Sequence, residues 1–158
     1  SDSKQIKHLD VGINTLQYKK IENGYMIYVE KGENIMESIT QFCIKNKINN
    51  AQLSGIGAVK NIEIGAFDTD NKKYIRQNFE DTWELVSYQG NISLKDDIPF
   101  IHAHVAISDH NLDIKGGHLF EATVAAVGEF ILRKIDNNVY RELNEDIGLP
   151  TLCMVDRS

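Results

Sequence analysis

Only two cysteines, two prolines and one tryptophan occur among the 158 residues. Cys43 and Cys153 have no close spacing and offer no disulfide framework, which argues against a small stapled scaffold. Cys43 falls on the apolar side of a predicted helix, where a buried thiol is expected rather than a disulfide or a nucleophile. No apolar stretch approaches the eighteen or so residues that cross a bilayer, and no basic segment followed by an apolar run opens the chain. A soluble, cytoplasmic protein with no membrane partner is therefore expected. Positive charge is also short, with 17 Lys and Arg against 23 Asp and Glu and a net charge of −6. Non-specific nucleic-acid binding relies on cations that displace phosphate counterions, so this balance works against it. The densest basic group, Lys72, Lys73 and Arg76, is offset by Asp68, Asp70, Glu80 and Asp81 and reads as a solvated loop.

With 42% hydrophobic and 25% charged residues, the chain can bury one core, and a single domain over 1–158 is expected. Low-complexity runs and linkers are absent, so loose structure is expected only at Ser1–Gln5 and Asp156–Ser158. Tyr25–Glu30 follows a turn signal at Asn23-Gly24 and reads as a strand. Asn34 with Glu37 three residues later has the spacing of a capping box. Ile35, Met36, Ile39, Phe42, Cys43 and Ile48 then recur at helical spacing, which predicts a helix over 35–47. From Ala51 onward, short apolar segments separated by turn residues predict a largely antiparallel sheet, with strands at 51–58, 61–68, 73–79, 82–93, 99–108, 112–115, 123–135 and 138–142. Asn137-Asn138 reads as a hairpin turn between the last two, and 94–98 as the most exposed loop.

The chemistry concentrates at Pro99–Asp109. On a strand, alternate side chains point to opposite faces, so Ile101, Ala103, Val105 and Ile107 take the core side. His102 and His104 then share the other face, about 6.6 Å apart at roughly 3.3 Å per residue, close enough for two imidazoles to converge on one metal. His118 follows a double glycine, Gly116-Gly117, whose conformational freedom would help bring it beside a neighbouring strand, although a plain turn explains the pair too. Imidazole suits zinc, and a three-histidine cap leaves a fourth position open. The bland alternative is a polar sheet face or subunit seam with hydrogen-bonded histidines. His110 reads as an exposed turn residue, and neither it nor His8 is assigned to the site. Glu121, three residues past His118, is the candidate catalytic residue, as a base or as a group orienting a ligand, with a solvated or salt-bridged carboxylate as the alternative. Gly55-Ile56-Gly57 lacks the Lys-Ser/Thr of a phosphate loop and reads as a bend or close backbone approach. Trp83 and Tyr88 read as core or interface packing.

Ser54–Ala58, Trp83–Ile92, Pro99–Asp109, Gly116–Leu119 and Val127–Phe130, in this order and spacing, together resemble the plants-and-prokaryotes conserved (PPC) domain over residues 20–145. The resemblance implies an α+β fold, a curved and mostly antiparallel sheet with one main helix packed on it, assembled as a homotrimer. It also implies a metal, expected to be zinc, at His102, His104 and His118. Plant members carry AT-hook segments that bind DNA, but no Arg-Gly-Arg-Pro type hook occurs in this chain. Direct nucleic-acid binding is therefore not expected.

Two functions follow as expectations. One is a non-enzymatic trimeric module, DNA-associated or regulatory through a partner protein or a small ligand. The other is a metal-dependent hydrolase or lyase acting on a small molecule, with Glu121 or Glu84 handling the proton.

Overall fold

The computed structural model describes residues 7–11 and 14–156, with side chains described from Leu16 onward. The expected loose stretches Ser1–Gln5 and 157–158 lie outside the described residues. Among the described residues, ten strands and one helix follow in the order β1 (Lys7–Val11), β2 (Asn14–Ile21), β3 (Gly24–Val29), α1 (Ile35–Lys45), β4 (Ala51–Asp68), β5 (Lys73–Phe79), β6 (Trp83–Lys95), β7 (Ile98–Ser108), β8 (Ile114–Lys134), β9 (Tyr140–Asn144) and β10 (Leu149–Cys153). The expected α+β architecture is the one observed.

Helix α1 forms where the apolar stripe requires it. Ile35, Ile39, Phe42 and Cys43 are fully buried, and the helix packs on β7 and β8. Burying each large apolar side chain contributes roughly 1.5–3 kcal/mol, so this stripe outweighs the modest helical propensity of its isoleucines. The Asn46 side-chain amide donates to the Phe42 carbonyl, and Lys47 turns to a left-handed φ of 55°, so the helix stops two residues before its expected end.

Among the described residues the sheet is antiparallel at all pairings but one, the short parallel contact between β6 and β9. Strands β4, β6, β7 and β8 close a circuit, because β4 pairs with both β6 and β8 while β7 bridges β6 to β8. Only strongly bent strands can do this. Residues 51–58 and 61–68, expected as two strands, are one strand that kinks at Asn61, where φ is 49°. A register shift between Gly55 and Gly57 adds a bulge to its first half. A side chain at either glycine would collide with β8, at the Phe130 ring or the Val127 carbonyl, which bears out the reading of a close backbone approach.

The segments 112–115 and 123–135 likewise belong to one strand, β8, with Gly116 and Gly117 inside it. Neither glycine has a positive φ. They are needed for proximity: a Cβ on Gly117 would lie 2.6 Å from the Gly65 carbonyl oxygen, and one on Gly116 would lie 2.7 Å from that of Val105. The expected hairpin at Asn137-Asn138 does not form. β9 instead leaves β8 to pair with the end of β6 and then with β10, a strand the sequence did not signal. The exposed loop at 94–98 tightens to a two-residue turn in which Asp96 and Asp97 both take positive φ, the geometry of a hairpin turn that aspartate tolerates.

Candidate metal centre

On β7 the alternation holds. Ile101, Ala103, Val105 and Ile107 are buried, while His102 is half-buried and His104 exposed on the opposite face. Strand β8 runs antiparallel to β7 and sets His118 directly opposite His104. The three rings therefore converge, with centroids 5.1 Å apart for His102 and His104, 5.3 Å for His102 and His118, and 5.8 Å for His104 and His118. One nitrogen from each lies within 4.8 Å of the other two. Three nitrogens on one zinc stand about 3.4 Å apart, given bonds of about 2.0–2.1 Å. Modest rotations of the imidazoles cover the difference.

Electrostatics favours the neutral form of His118 and of His102. Burial first, then the charges of His102, His104 and Arg76, pushes His118 from 6.5 down to about 4. Burial, Arg141 and His104 also hold His102 below the usual histidine range. Neutral imidazole keeps the lone pair that a metal requires. The donor set thus fits a transition metal held by His102, His104 and His118.

Around this trio lie residues that sequence reasoning missed. Tyr74 on β5 puts its hydroxyl 3.4 Å from His118 Nδ1, with its ring 4.7 Å from the imidazole. In the tautomer that donates Nδ1–H to Tyr74, His118 Nε2 carries the free lone pair, the usual way an outer partner fixes a ligating histidine. Phe120 stacks beside His118 at 4.6 Å, and the Arg76 guanidinium covers Phe120 at 3.6 Å. Arg76 thus stands in the strand expected at 73–79 rather than in a solvated loop, and its carboxylate partner is Glu63 at 3.6 Å, not Glu80 or Asp81. Gln52, Gln89, Gly90 and Asn91 join His102 and His104 around an open depression of about 360 Å³. The signal for Asn91 was its register opposite His102, which becomes visible only once β6 and β7 are paired.

Glu121 has a different task from the one expected. Its two carboxylate oxygens accept hydrogen bonds from the backbone N–H groups of Met36 at 2.8 Å and Glu37 at 3.1 Å, and one also accepts from Ala122 N–H at 2.9 Å. It is the acceptor at the N-terminus of α1. Asn34 makes no side-chain cap, and its oxygen instead accepts from the Thr123 hydroxyl. The capping box expected from Asn34 and Glu37 is thus replaced by a carboxylate brought from β8. Burial holds the Glu121 carboxyl above its usual range despite these amides.

His110 is exposed in the turn, as expected. His8 lies on β1, where side chains are not described. Tyr88 is fully buried against Phe130, and Trp83 packs on Phe79, so both are core residues.

Comparison with known proteins adds independent support. A protein of known structure from Pyrococcus horikoshii, itself a plant- and prokaryote-conserved (PPC) protein, is 32% identical with a TM-score of 0.79, over 94% of this chain and 100% of the other. A metal-containing protein from Archaeoglobus fulgidus is 31% identical with a TM-score of 0.78, over 86% of this chain and 97% of the other. A Bacteroides thetaiotaomicron protein, named as a candidate DNA-binding protein, is 27% identical with a TM-score of 0.84, over 87% of this chain and 96% of the other. No curated protein matches the sequence. The family description for the Plants and Prokaryotes Conserved (PCC) domain matches residues 16–136, and with the fold and the register of its strands this establishes that the chain belongs to that family.

Proposed function

We propose that the protein is a homotrimeric, non-enzymatic module that holds one zinc ion at His102, His104 and His118 and acts in regulation through a small ligand or a partner protein. The observation that carries the metal reading is the convergence of three histidine nitrogens within 4.8 Å on one sheet face. The metal-containing relative from Archaeoglobus fulgidus supports it. Held by these three histidines, the ion would supply Lewis-acid chemistry. The chain's own residues orient the ligands: β7 spaces His102 and His104, Gly116 and Gly117 let β8 close against its neighbours, and Tyr74 engages His118 Nδ1.

Elemental analysis of protein purified without a tag or chelator tests this reading. Near-stoichiometric metal in the wild type and its loss in His102→Ala, with the fold retained, is the expected result. An absence of metal after incubation with zinc would sink it and leave a polar face.

Contact with nucleic acid is assigned to a partner, because acidic residues outnumber basic ones 23 to 17. Tight, sequence-dependent binding of DNA by the isolated chain at low salt would overturn that assignment.

A metal-dependent hydrolase or lyase is favoured by one feature, the solvent exposure of His104 at the mouth of the cluster. Against it, Glu121 is engaged by the helix amides. Equal turnover of esters, lactones and phosphoesters by metal-loaded wild type and His104→Ala would remove this alternative.

A further inference from the structure

Arg141 has an unusual position for a cation. It is only 7% exposed, and long charged side chains are rarely buried unless paired. Its Nε donates to Ser93 Oγ at 2.8 Å, Nη2 to Asn91 Oδ1 at 2.8 Å and Nη1 to the Pro150 carbonyl at 3.3 Å. All three acceptors are neutral. A guanidinium has five N–H donors, so two remain without an acceptor among the described residues. Asp96, Asp97 and Glu142 share with it the rim of a separate depression of about 510 Å³, yet no ion pair joins Arg141 to a carboxylate among the described residues.

The guanidinium borders the histidine face. Its partner Asn91 stands opposite His102 in the β6–β7 register and lines the depression beside His102 and His104. The guanidinium also lies 5.6 Å from the ring of Phe100, two residues from His102 on the same face, with Lys95 Nζ 5.1 Å from that ring. His102 and Tyr74 both feel the Arg141 charge. Arg76 adds a second guanidinium on the Tyr74 side, and Glu63 is its only ion-pair partner among the described residues. Asn91 therefore links the guanidinium, which lines the separate depression, to the depression beside His102 and His104, and the Tyr74 hydroxyl stands on the His118 side of the same cluster.

We infer that this face is an oxyanion site, in which a small carboxylate or phosphate sits against Arg141 beside His102 and Tyr74 and supplies a countercharge that none of its three described hydrogen-bond acceptors provides. The inference deepens the reading above, since it names the ligand class of the same face, but it does not require the metal. Planar, forked recognition of an oxyanion is what a guanidinium does better than an ammonium. The Asn91 amide oxygen holds the fork in place.

The test uses metal-free protein and follows unfolding temperature against the concentration of malonate, inorganic phosphate or the neutral analogue malonamide. A ligand that binds only the folded state raises that temperature with concentration. Malonate or phosphate is expected to stabilise the wild type and malonamide is not, and whichever anion acts at the lower concentration identifies a carboxylate or a phosphoryl ligand. Asn91→Asp places an internal carboxylate against Arg141. It is expected to unfold no lower than the wild type without anion and to bind the anion about 10- to 100-fold more weakly, the range for losing charge-assisted hydrogen bonds. Anions that leave the wild type unmoved, or that shift wild type and Asn91→Asp alike, would overturn the inference. Should Asn91→Asp not fold, Arg141→Lys is titrated calorimetrically: weaker binding supports the site and unchanged binding overturns it. Zinc content measured on parallel samples separates the two readings. Anion binding without zinc uptake removes the metal reading alone, and zinc uptake without anion binding removes the oxyanion site alone.

Discussion

At the scale of single residues, the histidine trio is held by opposing demands. His102 and His118 are buried enough to favour the neutral ring, while His104 is exposed. His118 carries the clearest consequence, because its protonation is pushed from 6.5 down to about 4 by burial and by the neighbouring positive groups. A histidine that binds its proton less readily folded than unfolded contributes stability that is complete above its unfolded value and is lost as pH falls. Metal-free protein is therefore expected to lose stability as pH falls from about 6.5 to about 4, and His118→Gln to show a shallower loss over that window. Denaturant midpoints measured across the window check this, and identical slopes for the two proteins would refute it. Cys43 illustrates burial without function: desolvation pushes its thiol up to about 12, so at neutral pH it is an inert part of the core.

At the scale of elements, α1 and β8 depend on each other. The amide groups at the start of a helix need acceptors, and Glu121 supplies them from a strand 84 to 85 residues away in sequence. Glu121→Ala is expected to cost about 1–3 kcal/mol, because it removes the partly buried carboxyl acceptor of a helix N-terminus and leaves its amides unpaired. Metal stoichiometry should be unchanged, since the carboxylate is bound to the helix. Chemical denaturation and elemental analysis of the same variant separate these effects, and lost metal in a fully stable protein would return Glu121 to the site. The helix stripe and the β7 alternation were legible in the sequence because both are local periodicities. The capping partner was not, because Asn34 and Glu37 satisfy a local pattern that a longer-range acceptor displaces.

At the scale of the whole molecule, the closed circuit of β4, β6, β7 and β8 leaves an apolar patch outside. Ile56, Val86 and Val127 are 55%, 48% and 36% exposed and border one depression with Gly57, Ala58 and Leu85, at whose edge stand the carboxylates of Glu84 and Glu129. Exposed apolar clusters of this kind suit association between subunits, which supports the proposed trimer. Ile56→Glu combined with Val86→Glu is expected to yield folded monomers by sedimentation or light scattering. A wild type that is monomeric at high concentration, or a variant that stays trimeric, would exclude this surface as the interface.

The sequence by itself determined the faces: which side of β7 enters the core, where α1 begins, and that three histidines cluster after Pro99. These follow from the pleat of a strand and the turn of a helix, which repeat every two or 3.6 residues whatever lies elsewhere. Only the tertiary structure decided what meets across the sheet. It put His118 opposite His104, gave Glu121 to the helix, decided for the glycine pair between close approach to a strand and a plain turn, and brought Tyr74 to His118 and Asn91, with Arg141 bonded to it, opposite His102. Register between strands distant in sequence is set by the fit of the whole core, and no window along the chain contains it.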